Sequence, residues 1–342
     1  MRIAIYGAGA LGTVLGVYLE KAGLDVVLVN RNKEHVRALN EYGAKVIGEI
    51  ELSQKVKAIT PDMMEGYYDV IFLMTKQVEN ETVAKFLRDK IREDSIVCTT
   101  QNGLPEIKLM EILGEERVVG ATAVWGASLV SPGVAKLTSN PNSMSFQIGS
   151  LSSNCEERLK TIKSILENMC PVYIEENFMG ARWSKLLINA AFSGLSTIFN
   201  CDFGEIAKVK ELRNIAQRVI KETIDVIKAA DIKIMPIQGR DITRLMDYKG
   251  PIKKKIANLI IPIAMRNHKH IRSGMLYDLE RGRKTEVDAI NGVVVDFGRK
   301  YKQATPFNDR IVETIYRIEQ GKLKSSLGNI DIFYDLMKGK TV

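Results

Sequence analysis

The hexapeptide GAGALG at residues 7–12 constrains this chain more than any other stretch. Before it, Ile3, Ala4, Ile5 and Tyr6 read as a short buried strand. After it, an apolar helix is expected over residues 11–22, ended by Gly23. In this strand–turn–helix context each glycine has a physical reason. Gly7 permits the tight turn, Gly9 lets the backbone approach a pyrophosphate, and Gly12 lets the helix pack closely on the strand. The helix N-terminus adds N–H groups and the positive end of its dipole. Gly7, Ala8, Gly9, Ala10, Leu11 and Gly12 are therefore expected to cradle the phosphates of a dinucleotide.

A second strand, Asp25–Val29, completes the βαβ unit. An acidic residue at its end would suit the ribose 2′-hydroxyl of NAD. This chain has Asn30 and Arg31 there instead. A carboxylate repels a 2′-phosphate, whereas an arginine pairs with it bidentately. The expected cofactor is NADP(H), with Asn30 and Arg31 on the adenosine side. The bland alternative for Arg31 is a solvated surface charge.

With 342 residues the chain is long enough for two domains. Its net charge of +8 is diffuse, and the run Lys253, Lys254, Lys255 reads as a solvated helix face. No nucleic-acid partner is expected. The strand starting at residue 2 leaves no room for a leader, and the apolar run at 259–265 is too short to span a bilayer. A cytoplasmic protein without a membrane partner is expected. The four cysteines, Cys98, Cys155, Cys170 and Cys201, lack metal-ligand spacing and read as reduced core thiols. Three scattered histidines suggest no metal site.

Two textures divide the sequence. Strand-like runs at 69–74, 95–100, 117–123 and 144–148 alternate with helical segments, the signature of a mainly parallel doubly wound sheet. Strands within 127–148 are expected as antiparallel additions to one edge. Helical segments follow at 178–199, 209–230, 237–261, 285–301 and 306–321. The expected fold is an α/β N-terminal Rossmann-type dinucleotide-binding domain (1–175) plus an all-α C-terminal domain (176–342) carrying substrate and catalytic residues, with a ligand between them.

Ligands of open α/β sheets gather at the carboxyl ends of strands. Lys76 follows one such end and can meet a phosphate or carboxylate; Asn102 follows another and can orient a substrate or the nicotinamide ribose. A solvated loop lysine and an Asn-Gly turn are the structural alternatives. Lys185, Asn189 and Ser193 fall at i, i+4 and i+8, on one helix face among apolar neighbours. That composition fits a polar groove, against the alternative of a lysine snorkelling from a buried helix. Thr285 with Asp288 is expected to form a capping box opening a helix near Glu286. Glu286 then either complements the helix dipole or reaches a substrate hydroxyl or cofactor ribose.

Taken in order, GAGALG at 7–12, TK at 75–76, QNG at 101–103, WSKLLIN at 183–189, TEVDAING at 285–292 and ATPFN at 304–308 resemble the ketopantoate reductase family. The resemblance implies NADPH-dependent reduction of 2-dehydropantoate to (R)-pantoate, on the route to pantothenate and coenzyme A. It implies Lys185 as the catalytic lysine, Asn102 and Asn189 as substrate-positioning asparagines, Glu286 as the acidic substrate or ribose ligand, and Lys76 as a cofactor-side lysine. Two departures stand out. Ser193-Gly194 replaces an Asn-Pro or Asn-Ala pair, and Ser273-Gly274-Met275 replaces Ser-Ser-Met. Both are expected on the substrate side.

The mechanism expected from this set has Lys185 as general acid for the developing alkoxide. Lysine, with an ordinary pKa of about 10.4, is charged at neutral pH. Asn102, Asn189 and Ser193 would hydrogen-bond the substrate, and Ser273 would help with its carboxylate. Two alternatives stay open: a reductase of another small 2-keto acid or of an imine, and a non-catalytic NADP-binding sensor. The helical domain is large enough to support a homodimer.

Overall fold

Arg2–Tyr6 (β1) alternates its side chains between two cores, Ile3 and Ile5 into one and Ala4 and Tyr6 into the other. The structure, a computed structural model, describes residues 1–236 and 242–338. The chain divides into two units, Met1–Phe178 and Met179–Val342.

In the first unit, β1 is followed by Ala10–Lys21 (α1), Asp25–Val29 (β2), Lys33–Tyr42 (α2), Ala44–Gly48 (β3), Leu52–Gln54 (β4) and Lys57–Ile59 (β5). Then come Val70–Leu73 (β6), Asn80–Arg88 (α3), Ile96–Thr99 (β7), Pro105–Leu113 (α4) and Val118–Ala123 (β8). Ala127–Ser131 (β9), Val134–Leu137 (β10), Phe146–Gly149 (β11), Glu156–Leu166 (α5) and Val172–Ile174 (β12) complete it. Eight strands form one sheet in the order β12-β11-β8-β7-β6-β1-β2-β5. It is parallel from β8 to β5, and only β11 meets β8 in antiparallel fashion.

The expectation for 127–148 needs correcting. β9 and β10 do not extend that sheet; with β3 and β4 they form a second, four-stranded sheet in the order β4-β3-β10-β9. β10 runs parallel to β3, pairing Val134 with Lys45 through Leu137 with Gly48. This small sheet covers α1, whose residues share one core with Val46 of β3 and Ala135 and Leu137 of β10. Gly9 caps α1 without a side-chain bond, forgoing only a few tenths of a kcal/mol. Burial of Val14, Leu15, Val17 and Leu19 outweighs that loss, at about 1.5–3 kcal/mol each.

The second unit is helical: Phe178–Phe199 (α6), Phe203–Lys208 (α7), Lys210–Ala229 (α8), Ile242–Met246 (α9), Pro251–Ala264 (α10), Gly274–Glu280 (α11), Val293–Lys300 (α12), Pro306–Glu319 (α13) and Tyr334–Met337 (α14). Two expected helices differ. Of 237–261, residues 237–241 lie outside the described residues, and the remainder is broken at Gly250-Pro251 into α9 and α10. The segment 285–301 is not one regular helix: a π-helical turn, Asp288–Gly292, precedes α12. All four cysteines are buried free thiols. Among the described residues no helix is long and apolar enough to cross a membrane, and no cluster of potential metal ligands occurs.

Candidate functional site

The glycine turn is built from three different constraints. Gly7 has φ +93°, and a Cβ there would lie 2.6 Å from the amide nitrogen of Thr75. At Gly12 a Cβ would press on Ile5 Cγ2 at 2.9 Å. Gly9 is different: a Cβ would meet only the Gly7 carbonyl, at 3.9 Å, so nothing in the protein fills that space. With no side chain capping α1, its first-turn N–H groups face the same opening. A pyrophosphate fits both features.

Behind the turn, the Ala8 carbonyl accepts from Asn30 Nδ2 at 2.9 Å. Asn30 Oδ1 accepts from the Asn32 amide, and Asn32 in turn caps α2. Asn30 thus buttresses the glycine turn. His35 also contacts the Ala8 carbonyl from within the core. Nothing local in the sequence signals that role.

Arg31 is exposed and donates to Glu79 Oε2 at 2.7 Å. Lys76, also exposed, opens the loop after β6. Asn102 sits exposed in the loop after β7, next to Gly103 with φ +76°. These two loops are tied together. Gln77 Nε2 donates to the Asn102 carbonyl, and the amides of Asn80 and Gln101 exchange hydrogen bonds at 3.1 and 2.6 Å. Lys76 and Asn102 therefore stand on one anchored edge. Asn80 and Gln101, both buried, were not anticipated.

On α6, Lys185, Asn189 and Ser193 are all half-buried, and no residue of this 22-residue helix is fully exposed. A solvated face would carry exposed charges. This stripe is a sheltered polar line, as a groove requires.

The departure at 193–194 reads differently from expectation. Ser193 belongs to the stripe, but Gly194 is buried and faces the core. A Cβ on it would lie 2.6 Å from Ile311 Cγ2 and 2.8 Å from Asn291 Oδ1. Asn291, carried by the π-turn, donates to the Ala190 carbonyl of α6 at 3.0 Å and to Asn308 Oδ1 at 2.9 Å. Asn308 continues the chain, its Nδ2 donating to Glu222 Oε2 at 2.8 Å. Glu222 also accepts from the Phe307 and Asn308 amides, capping α13. Burial pushes its carboxyl up to about 7 against these donors. The relay from Glu222 to Ala190 fixes α6 beside Asn189, and glycine at 194 makes room for it.

Ser273 is 2 % exposed. Its Oγ accepts from the Met275 amide, capping α11, and its own amide donates to Ser196 Oγ. That hydroxyl holds the local fold. Gly274 is exposed, and a Cβ there would meet nothing. The capping box is also corrected. Thr285 Oγ1 accepts from Val287 N at 3.3 Å, while Asp288 instead accepts from the Tyr316 hydroxyl. Glu286 is half-buried just ahead of the π-turn.

The profile described as "Ketopantoate reductase PanE/ApbA" matches residues 3–152, and its partner "Ketopantoate reductase PanE/ApbA C terminal" matches residues 177–319. The chain belongs to the ketopantoate reductase family. As a ketopantoate reductase family member it is an NADP(H)-dependent oxidoreductase. It is 29 % identical over 310 residues to the 2-dehydropantoate 2-reductase of Pyrococcus abyssi, covering 90 % of this chain and 94 % of that protein. Its fold is shared with a ternary structure of D-mandelate dehydrogenase with NADH and anilino(oxo)acetate, at 24 % identity and TM-score 0.79, covering 94 % of this chain and 99 % of the other. A PanE/ApbA family ketopantoate reductase from Ralstonia eutropha JMP134 gives the same TM-score, 0.79, at 24 % identity and the same coverage, 94 % and 99 %.

Proposed function

We propose that this chain reduces 2-dehydropantoate to (R)-pantoate, with Lys185 as general acid. The carrying observation is the sheltered line Lys185–Asn189–Ser193 on α6, where an ammonium and two neutral hydrogen-bonding side chains share a half-buried helix face. NADPH, when bound, supplies the hydride. Gly9 and the α1 N-terminus hold its pyrophosphate, Arg31 its 2′-phosphate, and Lys76 its phosphate side. The Lys185 ammonium polarises the keto oxygen and delivers a proton to it as negative charge develops there. Asn102, Asn189 and Ser193 orient the substrate, and Glu286 accepts from a substrate or ribose hydroxyl. Ser273 contributes by fixing α11. Lys185→Ala should lower kcat about a hundredfold or more with NADPH affinity nearly unchanged. Retained kcat would remove Lys185 from the reaction.

A second reading is that another small 2-keto acid is the substrate. The open space at Gly274, where the family carries a serine, favours it. NADPH oxidation across a panel of 2-keto acids decides between the two, and absence of any turnover with tight NADPH binding would point to a sensor.

For an oligomeric partner we propose a second copy of this chain on α10. Its Ala257, Ile261 and Met265 side is buried, while Ile252, Ile256, Leu259 and Ile263 form an opposite face, each more than half exposed. Ile256→Glu should convert the species seen by light scattering from dimer to monomer. An unchanged mass would reject this face.

A further inference from the structure

Arg31 and Glu79 stand beyond the carboxyl ends of β2 and β6, the two strands that flank β1. Their side chains meet at 2.7 Å, so the ion pair bridges the end of the strand that leads into the glycine turn. Tyr6, the last residue of β1, feels both charges. In a sheet of this topology the adenosine ribose lies at that end, against the loop after β2. The pair therefore occupies the entry to the ribose subsite.

An ordinary surface pair joins neighbours on one helix; this one joins loops 48 residues apart. Both loops are anchored. Asn30 and Asn32 fix the backbone on either side of Arg31. On the other loop, Gln77 and the buried Asn80 hold the turn carrying Glu79. The carboxylate is thus presented to the guanidinium by the fold, yet both side chains are exposed, at 79 % and 57 %, so the pair can open.

We propose that Glu79 is a cofactor-specificity residue: it holds the Arg31 guanidinium when the ribose subsite is empty, and an incoming 2′-phosphate must displace it. This rests on the reading of Arg31 as the 2′-phosphate ligand. The β2 end lacks the carboxylate that NAD-preferring sites use, and Glu79 supplies one from the neighbouring loop. NADH has no phosphate to compete with Glu79, and its ribose hydroxyls can donate to the carboxylate. Discrimination between the cofactors is therefore smaller than Arg31 alone would give.

The test is fluorescence titration of the full chain with NADPH and NADH, for wild type, Glu79→Gln and Arg31→Ala, at low and high salt. An exposed pair holds by no more than about fivefold, so Glu79→Gln should tighten NADPH about two- to fivefold. NADH affinity should stay level or fall, and the gain should shrink at high salt. Arg31→Ala should weaken NADPH about tenfold or more while sparing NADH. If Arg31→Ala shifts the NADPH/NADH ratio and Glu79→Gln does not, the role of Glu79 is overturned and that of Arg31 stands. If Arg31→Ala leaves the ratio unchanged, both fall. Glu79→Lys gives a second measure and should tighten NADPH further; equal or weaker binding speaks against the proposal.

Discussion

His35 Nε2 lies 3.0 Å from the carbonyl oxygen of Ala8, on the core side of the glycine turn. The other ring nitrogen, Nδ1, accepts from the Gly133 amide at 3.0 Å, so it carries no proton. The neutral ring must then bear its hydrogen on Nε2 and donate it to Ala8. One imidazole ties the glycine turn to the β9–β10 hairpin.

Burial holds His35 below the usual histidine range, and a second ring proton would face the Gly133 N–H. The native state therefore resists a proton that the unfolded chain takes up below about pH 6.5. Stability should fall as pH drops through that value toward the native pKa, because the unfolded state binds more protons there. Thermal melts from pH 5 to 8 should show this slope, and His35→Gln should flatten it. An equal slope in the variant would assign the effect elsewhere.

Glu222 gives the opposite sign. Its carboxyl rises from 4.5 to about 7 on folding, so between those values the native state binds the extra proton. Stability should decline as pH rises through that window, by an amount on the order of 3 kcal/mol. Glu222→Gln should abolish that part of the pH dependence while losing a cap on α13. A variant with an unchanged pH profile would show that the carboxyl titrates normally.

The three glycines of the turn should separate by measurement. Gly7→Ala meets both a positive φ and the Thr75 backbone, and should destabilise the fold by about 1–3 kcal/mol. Gly9→Ala projects into open space, so it should leave the melting temperature nearly unchanged and weaken NADPH about tenfold or more. A Gly9→Ala protein with normal NADPH affinity would place the pyrophosphate elsewhere.

Gly194→Ala should cost about 1–3 kcal/mol by overpacking against Ile311 and Asn291. Ile311→Leu in the same chain should recover part of the loss, since leucine lacks the β-branch methyl, Cγ2, that makes the nearer clash. No recovery would leave Asn291 as the sole obstacle.

The β1-turn-α1-β2 unit and α6 were legible because their signals are local: glycines at fixed spacing and an unbroken apolar helix. The second sheet was not, because β3 finds its partner β10 about ninety residues later and neither strand marks the pairing. Lys76, Asn102 and the α6 stripe could be picked out by residue type and position. Glu222 could not. In sequence it is one charge on an amphipathic helix, and its meaning comes from Asn308, 86 residues away. Gly194 looked like a change in the groove for the same reason: its constraint is a side chain from a distant turn.

The π-helical turn at Asp288–Gly292 fits one residue more into its span than an α-helix would use. Removing a single residue from it would restore regular winding, and each residue subtends about 100° of an α-helix. The π-turn absorbs that residue within its own wider winding, so everything upstream, Thr285 and Glu286 included, would keep nearly the same direction relative to α12. The direction of Glu286 is thus buffered against chain length at this point, and homologous helices differing there by one residue can be superposed on both sides of it at once.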